Sequence, residues 1–300
     1  MKKNGIILII LFLIAVPACP GHPQEKSIID TVLWSTFLPG GGHFYLGQPD
    51  AGNAYLLSEG LLVIVGFGVR ESLMYGEWNF FFVNALKIHE LGMFTSYREA
   101  RILNEDIEYS SPIDRTALHD LALAPFRWEN IKSPFVYGFF LAGIAANAIE
   151  ASMNAQRRDY SGVSSVRIMG VDLDRGAGTA AYGGMWLTLS LSAAVSEECA
   201  YRGIMQVECE ESMGRIPGLL VSSCIFGLGH VADWTKQESW ISGGIAALAG
   251  TYLGWLFQKE GYKLSKPIAA HFWFNVGAGA TLFIMDPQNN PLGLRVNFSF

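Results

Sequence analysis

From Gly178 to Met205 the chain is apolar apart from three ionisable residues, Glu197, Glu198 and Arg202. An ionised side chain near the centre of a bilayer costs about 2.5 to 3.5 kcal/mol on insertion scales, so three close together must face a protein interior or a wet cavity. On a helix Glu198 and Arg202 stand four residues apart on one face, with the acid N-terminal to the base, the favourable order for an ion pair. Glu197 points about 100° away from that pair. The spacing therefore gives the two acids unequal roles, one held by the arginine and the other free for chemistry.

The rest of the composition places this run in a membrane. Half of the residues are hydrophobic and 16% are charged, against about 25% charged in an ordinary soluble domain. The expected fold is all-α, a polytopic transmembrane helical bundle of about six to eight membrane helices with additional interfacial helices. A net charge of -6 without a long basic block excludes nucleic acid as a partner. The four cysteines form no C-x-x-C pair, so neither a disulfide framework nor a structural zinc site is indicated, and Cys199 and Cys224 read as small buried hydrophobes.

Met1-Lys2-Lys3 ahead of a short apolar core has the form of a signal peptide or N-terminal anchor over residues 1–18. Cleavage after Ala18 and lipidation of Cys19 are alternative fates of that segment. Residues 19–175 read as an accessory membrane region. It opens with a hairpin around the glycine-rich turn Leu38 to Gly47, too broken for a helix interior, in which His43 is a turn or interfacial residue. Trp78 to Tyr97 is aromatic and amphipathic and suggests helices lying at the interface. Phe135 to Ala151 is a span, and the polar stretch Asn154 to Arg175 reads as a linker.

Four apolar helices are expected over residues 176–286: Thr179 to Met205, Pro217 to Val231, Trp240 to Phe257 and Pro267 to Met285. Pro217 and Pro267 suit first-turn positions, where a missing amide is harmless. In the tail, 287–300, the stretch Leu292 to Phe300 alternates like a strand but is alone and reads as a surface extension.

Three of these four helices carry polar groups deep in apolar sequence. The first holds Glu197, Glu198 and Arg202, the second Phe226-x-x-x-His230, and the last His271-x-x-x-Asn275. Residues four apart share a helix face, so each pair projects together. The set is equipped for hydrolysis. A desolvated carboxylate takes a proton from water, a histidine shares that water or protonates a leaving amine, and Asn275 with a neutral His271 donates to a developing oxyanion. A zinc ion held by Glu197, His230 and His271 is the competing chemistry. No His-Glu-x-x-His, Gly-x-Ser-Gly or Gly-x-Gly-Asp string is present; His89-Glu90 lacks the second histidine.

Taken in order on successive apolar helices, the motifs Glu197-Glu198-x-x-x-Arg202, Phe226-x-x-x-His230 and His271-x-x-x-Asn275 resemble those of the CPBP intramembrane proteases, which include CAAX prenyl endopeptidases and bacteriocin-processing or immunity proteins. The resemblance spans about Gly178 to Met285 and implies an intramembrane protease core. It implies Glu197 as the base that activates water with His230, and His271 and Asn275 as the oxyanion site. Arg202 would orient Glu198, and Phe226 would line the cavity. A peptide or membrane-tethered protein would be the substrate, the lipid bilayer the other partner, and no cofactor is expected. The location expected is integral to a membrane, the bacterial inner membrane. A non-catalytic immunity or scaffold protein using the same polar cluster for helix packing is the alternative, as is a zinc-dependent hydrolase.

Overall fold

The computed structural model describes residues 26–69, 75–104 and 109–298; the segment 1–18 read as a signal or anchor, with Cys19, lies outside them. The chain is a helical bundle with little strand. Helix α1 (Ile28–Phe37), the short α2 (Gly41–Tyr45) and α3 (Pro49–Val69) form the glycine-rich hairpin, followed by the long α4 (Tyr75–Leu103). Gly40 turns the hairpin with φ 72°, and a Cβ there would lie 2.2 Å from the Gly52 carbonyl oxygen, so only glycine permits the approach. Short helices α5 (Leu118–Leu123) and α6 (Trp128–Ile131) lead into α7 (Pro134–Met153).

After strands β1 (Val163–Ile168) and β2 (Val171–Asp174) comes α8 (Arg175–Glu197), which runs without a break into a π-helical segment, Glu198–Gln206. Helices α9 (Val207–Met213), α10 (Arg215–Gly229), α11 (Gln237–Lys259) and α12 (Ser265–Met285) follow, then β3 (Arg295–Phe298). Among the described residues four helices, over Pro49–Gly68, Pro134–Met153, Gln237–Lys259 and Ser265–Met285, are long and apolar enough to cross a membrane. Their outer faces are apolar as well: Leu57, Leu61 and Ile64 on α3 and Ile241, Ile245 and Leu248 on α11 are exposed at helical spacing, the pattern of a face that meets acyl chains. Cys224, expected to be buried, is exposed on α10. Together these make the protein an integral membrane protein.

Three local features depart from what the sequence suggests. Trp78 to Tyr97 belongs to one continuous helix, α4, whose Ala85, Phe94, Tyr97 and Ala100 are buried. Its aromatic face packs into the bundle with Val195, Cys199 and Phe272 instead of lying on the interface. The first motif helix is not α-helical to its end, because nine residues from Glu198 adopt π geometry, a winding frequent at functional sites. The tail is not alone. β3 pairs antiparallel with β1, and β1 with β2, in a three-stranded sheet of order β2-β1-β3.

The tail's partner β1, and β2 beyond it, both lie within the polar stretch read as a linker. Ile168 pairs with Val171 across Met169-Gly170, both with positive φ, the two-residue hairpin whose twist matches its strands. Val166, Leu292 and Leu294 then seat the sheet on Tyr182 and Phe283, close to the outer ends of α8 and α12.

Candidate active site

Two helices set the geometry of the site. Asp174 caps α8, its Oδ1 accepting from the Gly176 and Ala177 amides at 2.9 and 3.0 Å, which satisfies donors that the first turn leaves free. Twenty-three residues later α8 ends on Glu197. The start of α12 is tied down by Asp114, whose Oδ2 accepts from the Leu264 amide at 2.8 Å. Stacking of Phe139 on Phe274 holds α12 against α7, and the Trp186 indole of α8 donates to the Asn275 carbonyl at 2.9 Å.

With those helices fixed, the predicted residues fall in two layers. In the inner layer Glu198 and Arg202 are fully buried and joined at 3.0 Å, as the spacing of four requires. The same Oε1 of Glu198 also lies 2.7 Å from His271 Nδ1. Arg202 donates further to the Gly250 carbonyl at 3.1 Å and stacks 4.5 Å from the Phe226 ring centroid. The buried charges of this layer are matched, although Glu198 Oε2 is left without a hydrogen-bond partner.

The outer layer is more open. Glu197 Oε2 lies 3.9 Å from His230 Nε2 and 3.8 Å from His271 Nε2, and it accepts no hydrogen bond although it is buried. These separations exceed a direct hydrogen bond and leave room for a small polar group between Oε2 and either imidazole. His230 Nδ1 lies 2.8 Å from the Phe226 carbonyl. A carbonyl only accepts, so Nδ1 donates, and the Nε2 of the neutral ring is left as an acceptor facing Glu197. The His230 side chain is 40% exposed against 10% for Glu197, so the histidine marks the open side. Asn275 is half-buried one turn beyond His271 on α12.

Sequence reasoning missed two members of this site. Lys87 Nζ lies 3.0 Å from Glu197 Oε1 and 2.9 Å from Glu90 Oε1. Both Lys87 and Glu90 come from α4, in the region read as interfacial. The signal was present: Lys87 and Glu90 are ionisable residues at helical spacing within apolar, aromatic sequence, the same anomaly that singles out Glu197. Among the described residues no group of three or more His, Cys, Asp or Glu side chains is disposed to hold a metal ion.

The fold and site define a polytopic membrane protein with a carboxylate–histidine centre enclosed by its helices. Residues 180–277, a third of the chain, match the family described as type II CAAX prenyl endopeptidase Rce1-like. That segment holds Glu197, Glu198, Arg202, Phe226, His230, His271 and Asn275, and the match supports the resemblance to the CPBP intramembrane proteases. No curated protein and no solved structure matches the chain.

Proposed function

We propose that this protein is an endopeptidase that hydrolyses peptide bonds of membrane-associated peptides or proteins, with a water activated by Glu197. The observation that carries the reading is the convergence of Glu197 Oε2, His230 Nε2 and His271 Nε2 within 3.9 Å. A water donating to two of these acceptors has its oxygen lone pairs turned to an incoming carbonyl carbon. Transfer of one proton to Glu197 then leaves hydroxide as the nucleophile. His230, on the exposed side, is suited to pass a proton to the leaving amine. Asn275 is a donor one helical turn from His271, where charge on the carbonyl oxygen would develop. No cofactor is needed for any of these steps.

A helix-packing network is the weaker reading. Such a network serves stability only when its polar atoms are satisfied, whereas Glu197 Oε2 is buried and unpartnered and His230 is partly open. We place the protein in the inner membrane of a bacterium, with the scissile bond near the bilayer.

The test uses the full chain in lipid nanodiscs with two peptide probes, a farnesylated CAAX-type peptide and an unprenylated transmembrane peptide library, with products read by mass spectrometry. Wild type is expected to cleave at least one probe, and Glu197→Gln and His230→Ala to abolish that cleavage. Full activity in both variants would overturn the mechanism.

A further inference from the structure

The matched segment begins at residue 180, yet one oxygen of its central carboxylate is bound from outside it. Lys87, on α4, is buried, with a side chain 10% exposed. It touches two acids at once, Glu197 at 3.0 Å and Glu90 at 2.9 and 3.1 Å. A buried ammonium is retained where it is paired and hydrogen-bonded, and this one has both partners.

We propose that Lys87 is the positioning residue for Glu197: its ammonium holds Oε1 of the ionised carboxylate and thereby aims Oε2 at His230 and His271. The inference rests on the hydrolase reading of the site and deepens it, because it makes the N-terminal half of the chain part of the active centre. A carboxylate at the end of α8 with no anchor on Oε1 is free to rotate and to draw its water to either oxygen. With Lys87 in place a single oxygen faces the imidazoles.

The hairpin explains how α4 is held in register. Gly42 donates its amide to Ser35 Oγ at 3.0 Å, Ser35 and Ser96 hydroxyls are 2.8 Å apart, and His43 Nε2 lies 2.8 Å from Thr95 Oγ1. The glycine-rich turn, which the hydrolase segment leaves unexplained, thus fastens the C-terminal part of α4. On the other side of the same helix Ser192 donates to Asn84 Oδ1 at 2.7 Å. Lys87 sits between these two attachments, one to the hairpin and one to α8.

Every charged or titratable group facing Glu197 bears on the sign of the test. Lys87 and Glu90 come from α4. Glu198, Arg202 and Tyr201 come from the π-helical segment, His230 from α10 and His271 from α12. Lys87 is the cation nearest to Glu197, and a cation within about 4 to 6 Å favours the charged form of a carboxylate.

The deciding experiment needs no substrate. pH-difference infrared spectroscopy of the full chain in nanodiscs, with Glu197→Gln as the subtraction that identifies the Glu197 bands, gives the midpoint at which that carboxylate is protonated. Lys87→Met is expected to raise this midpoint by about 1 pH unit or more, and Lys87→Arg to return it toward wild type. Glu90→Gln, which removes a neighbouring negative charge and leaves Lys87, is expected to move it the other way. A general loss of folding produces no such opposed pair of shifts. An unchanged midpoint in both Lys87→Met and Glu90→Gln overturns the proposal. Where a peptide probe is cleaved, Lys87→Met should lower kcat with KM retained and shift the acid limb of the rate profile to higher pH. Retention of kcat and of that limb also overturns it. Failure of wild type to cleave any probe counts against the peptidase reading alone, because the infrared arm still decides whether Lys87 governs Glu197.

Discussion

His271 Nδ1 lies 2.7 Å from Glu198 Oε1, the same oxygen that receives Arg202 at 3.0 Å. A carboxylate paired with arginine has no proton to give, so Nδ1 of His271 donates. In the neutral ring Nε2 is then an acceptor, facing Glu197 Oε2. The sequence suggests His271 as a neutral donor to an oxyanion, but with its Nδ1 proton directed to Glu198 it can donate from Nε2 only as imidazolium. Lys87, Arg202, Glu90, Glu197 and Glu198 carry one excess negative charge when ionised, which one imidazolium would neutralise.

Glu198→Gln follows directly from that relationship. The amide can donate to Nδ1, which moves the imidazole proton to Nε2 and reverses what His271 presents to Glu197. The side-chain shape is preserved, so binding should survive while kcat falls by about 100-fold or more, the order of effect seen when a buried acid no longer fixes its histidine's tautomer. Comparison of kcat and KM for this variant with wild type checks it.

Removing Arg202 should act on stability instead. Arg202→Met leaves Glu198, wholly buried, with His271 as its remaining ionic partner. It also loses the donation to Gly250 and the stack on Phe226. Breaking a buried pair from one side costs about 3 to 5 kcal/mol. Unfolding midpoints in detergent should show this loss, and the double variant Glu198→Gln/Arg202→Met should be less destabilised than the sum of the two singles.

Acid should loosen the start of α12. Asp114 is largely buried, and burial pushes its carboxyl up, but the Leu264 amide, the Thr116 hydroxyl and amide, and Lys263 together hold it below the ordinary carboxylate range. A lowered value in the folded state means that its stabilisation is present above the unfolded value of about 3.9 and is lost as pH falls through the lower folded one. Thermal midpoints should therefore drop on acidification below about pH 4. Asp114→Asn should be less stable above that pH and show a flatter profile below it.

The site was legible to the extent that it is local. Glu198 with Arg202 and Phe226 with His230 each meet through spacing of four on one element, and apolar surroundings made Glu197, His230, His271 and Asn275 stand out in the sequence. The four expected apolar helices appear near their expected ends because Pro217 and Pro267 fall in first turns and Asp286 follows the last residue of α12. What escaped depends on contacts distant in sequence. Lys87 meets Glu197 across 110 positions, and α4's mixed polarity reads as amphipathic because both of its faces are used, one against α3 and the other against the site. β3 looked solitary because its partner β1 lies far upstream in a polar stretch, where strand pairing leaves only a short alternating signal. The π winding after Glu197 has no sequence signature that we recognise.

Gly279 joins α8 and α12 through a close approach that no other residue allows. A Cβ at this position would lie 2.1 Å from the Trp186 ring, and that ring donates to the Asn275 carbonyl. Gly279→Ala must push the indole away, which breaks this bond and separates α8 from α12. Overpacking of this kind costs about 1 to 3 kcal/mol. Activity should fall more than the stability change explains, because Glu197 and His271 sit on the two helices being parted. Assaying well below the variant's unfolding temperature separates the two effects; full activity there would show that the site tolerates the displacement.

Chelation is the remaining test of how the water is activated. A zinc ion on Glu197, His230 and His271 would sit close to the Lys87 ammonium, already 3.0 Å from Glu197 Oε1. A dication and an ammonium about 4 Å apart repel by about 8 kcal/mol at an effective dielectric constant of about 20. Lys87 already offsets the carboxylate charge that would draw a metal to Oε2, so 1,10-phenanthroline and EDTA should leave peptide cleavage unchanged, and purified protein should carry zinc well below one equivalent. Lys87→Met removes the repulsion, and if any variant gains zinc affinity it should be this one. Loss of wild-type activity with chelator, restored by added zinc, would instead assign the activated water to a metal and require Lys87 to leave Glu197 when that metal binds.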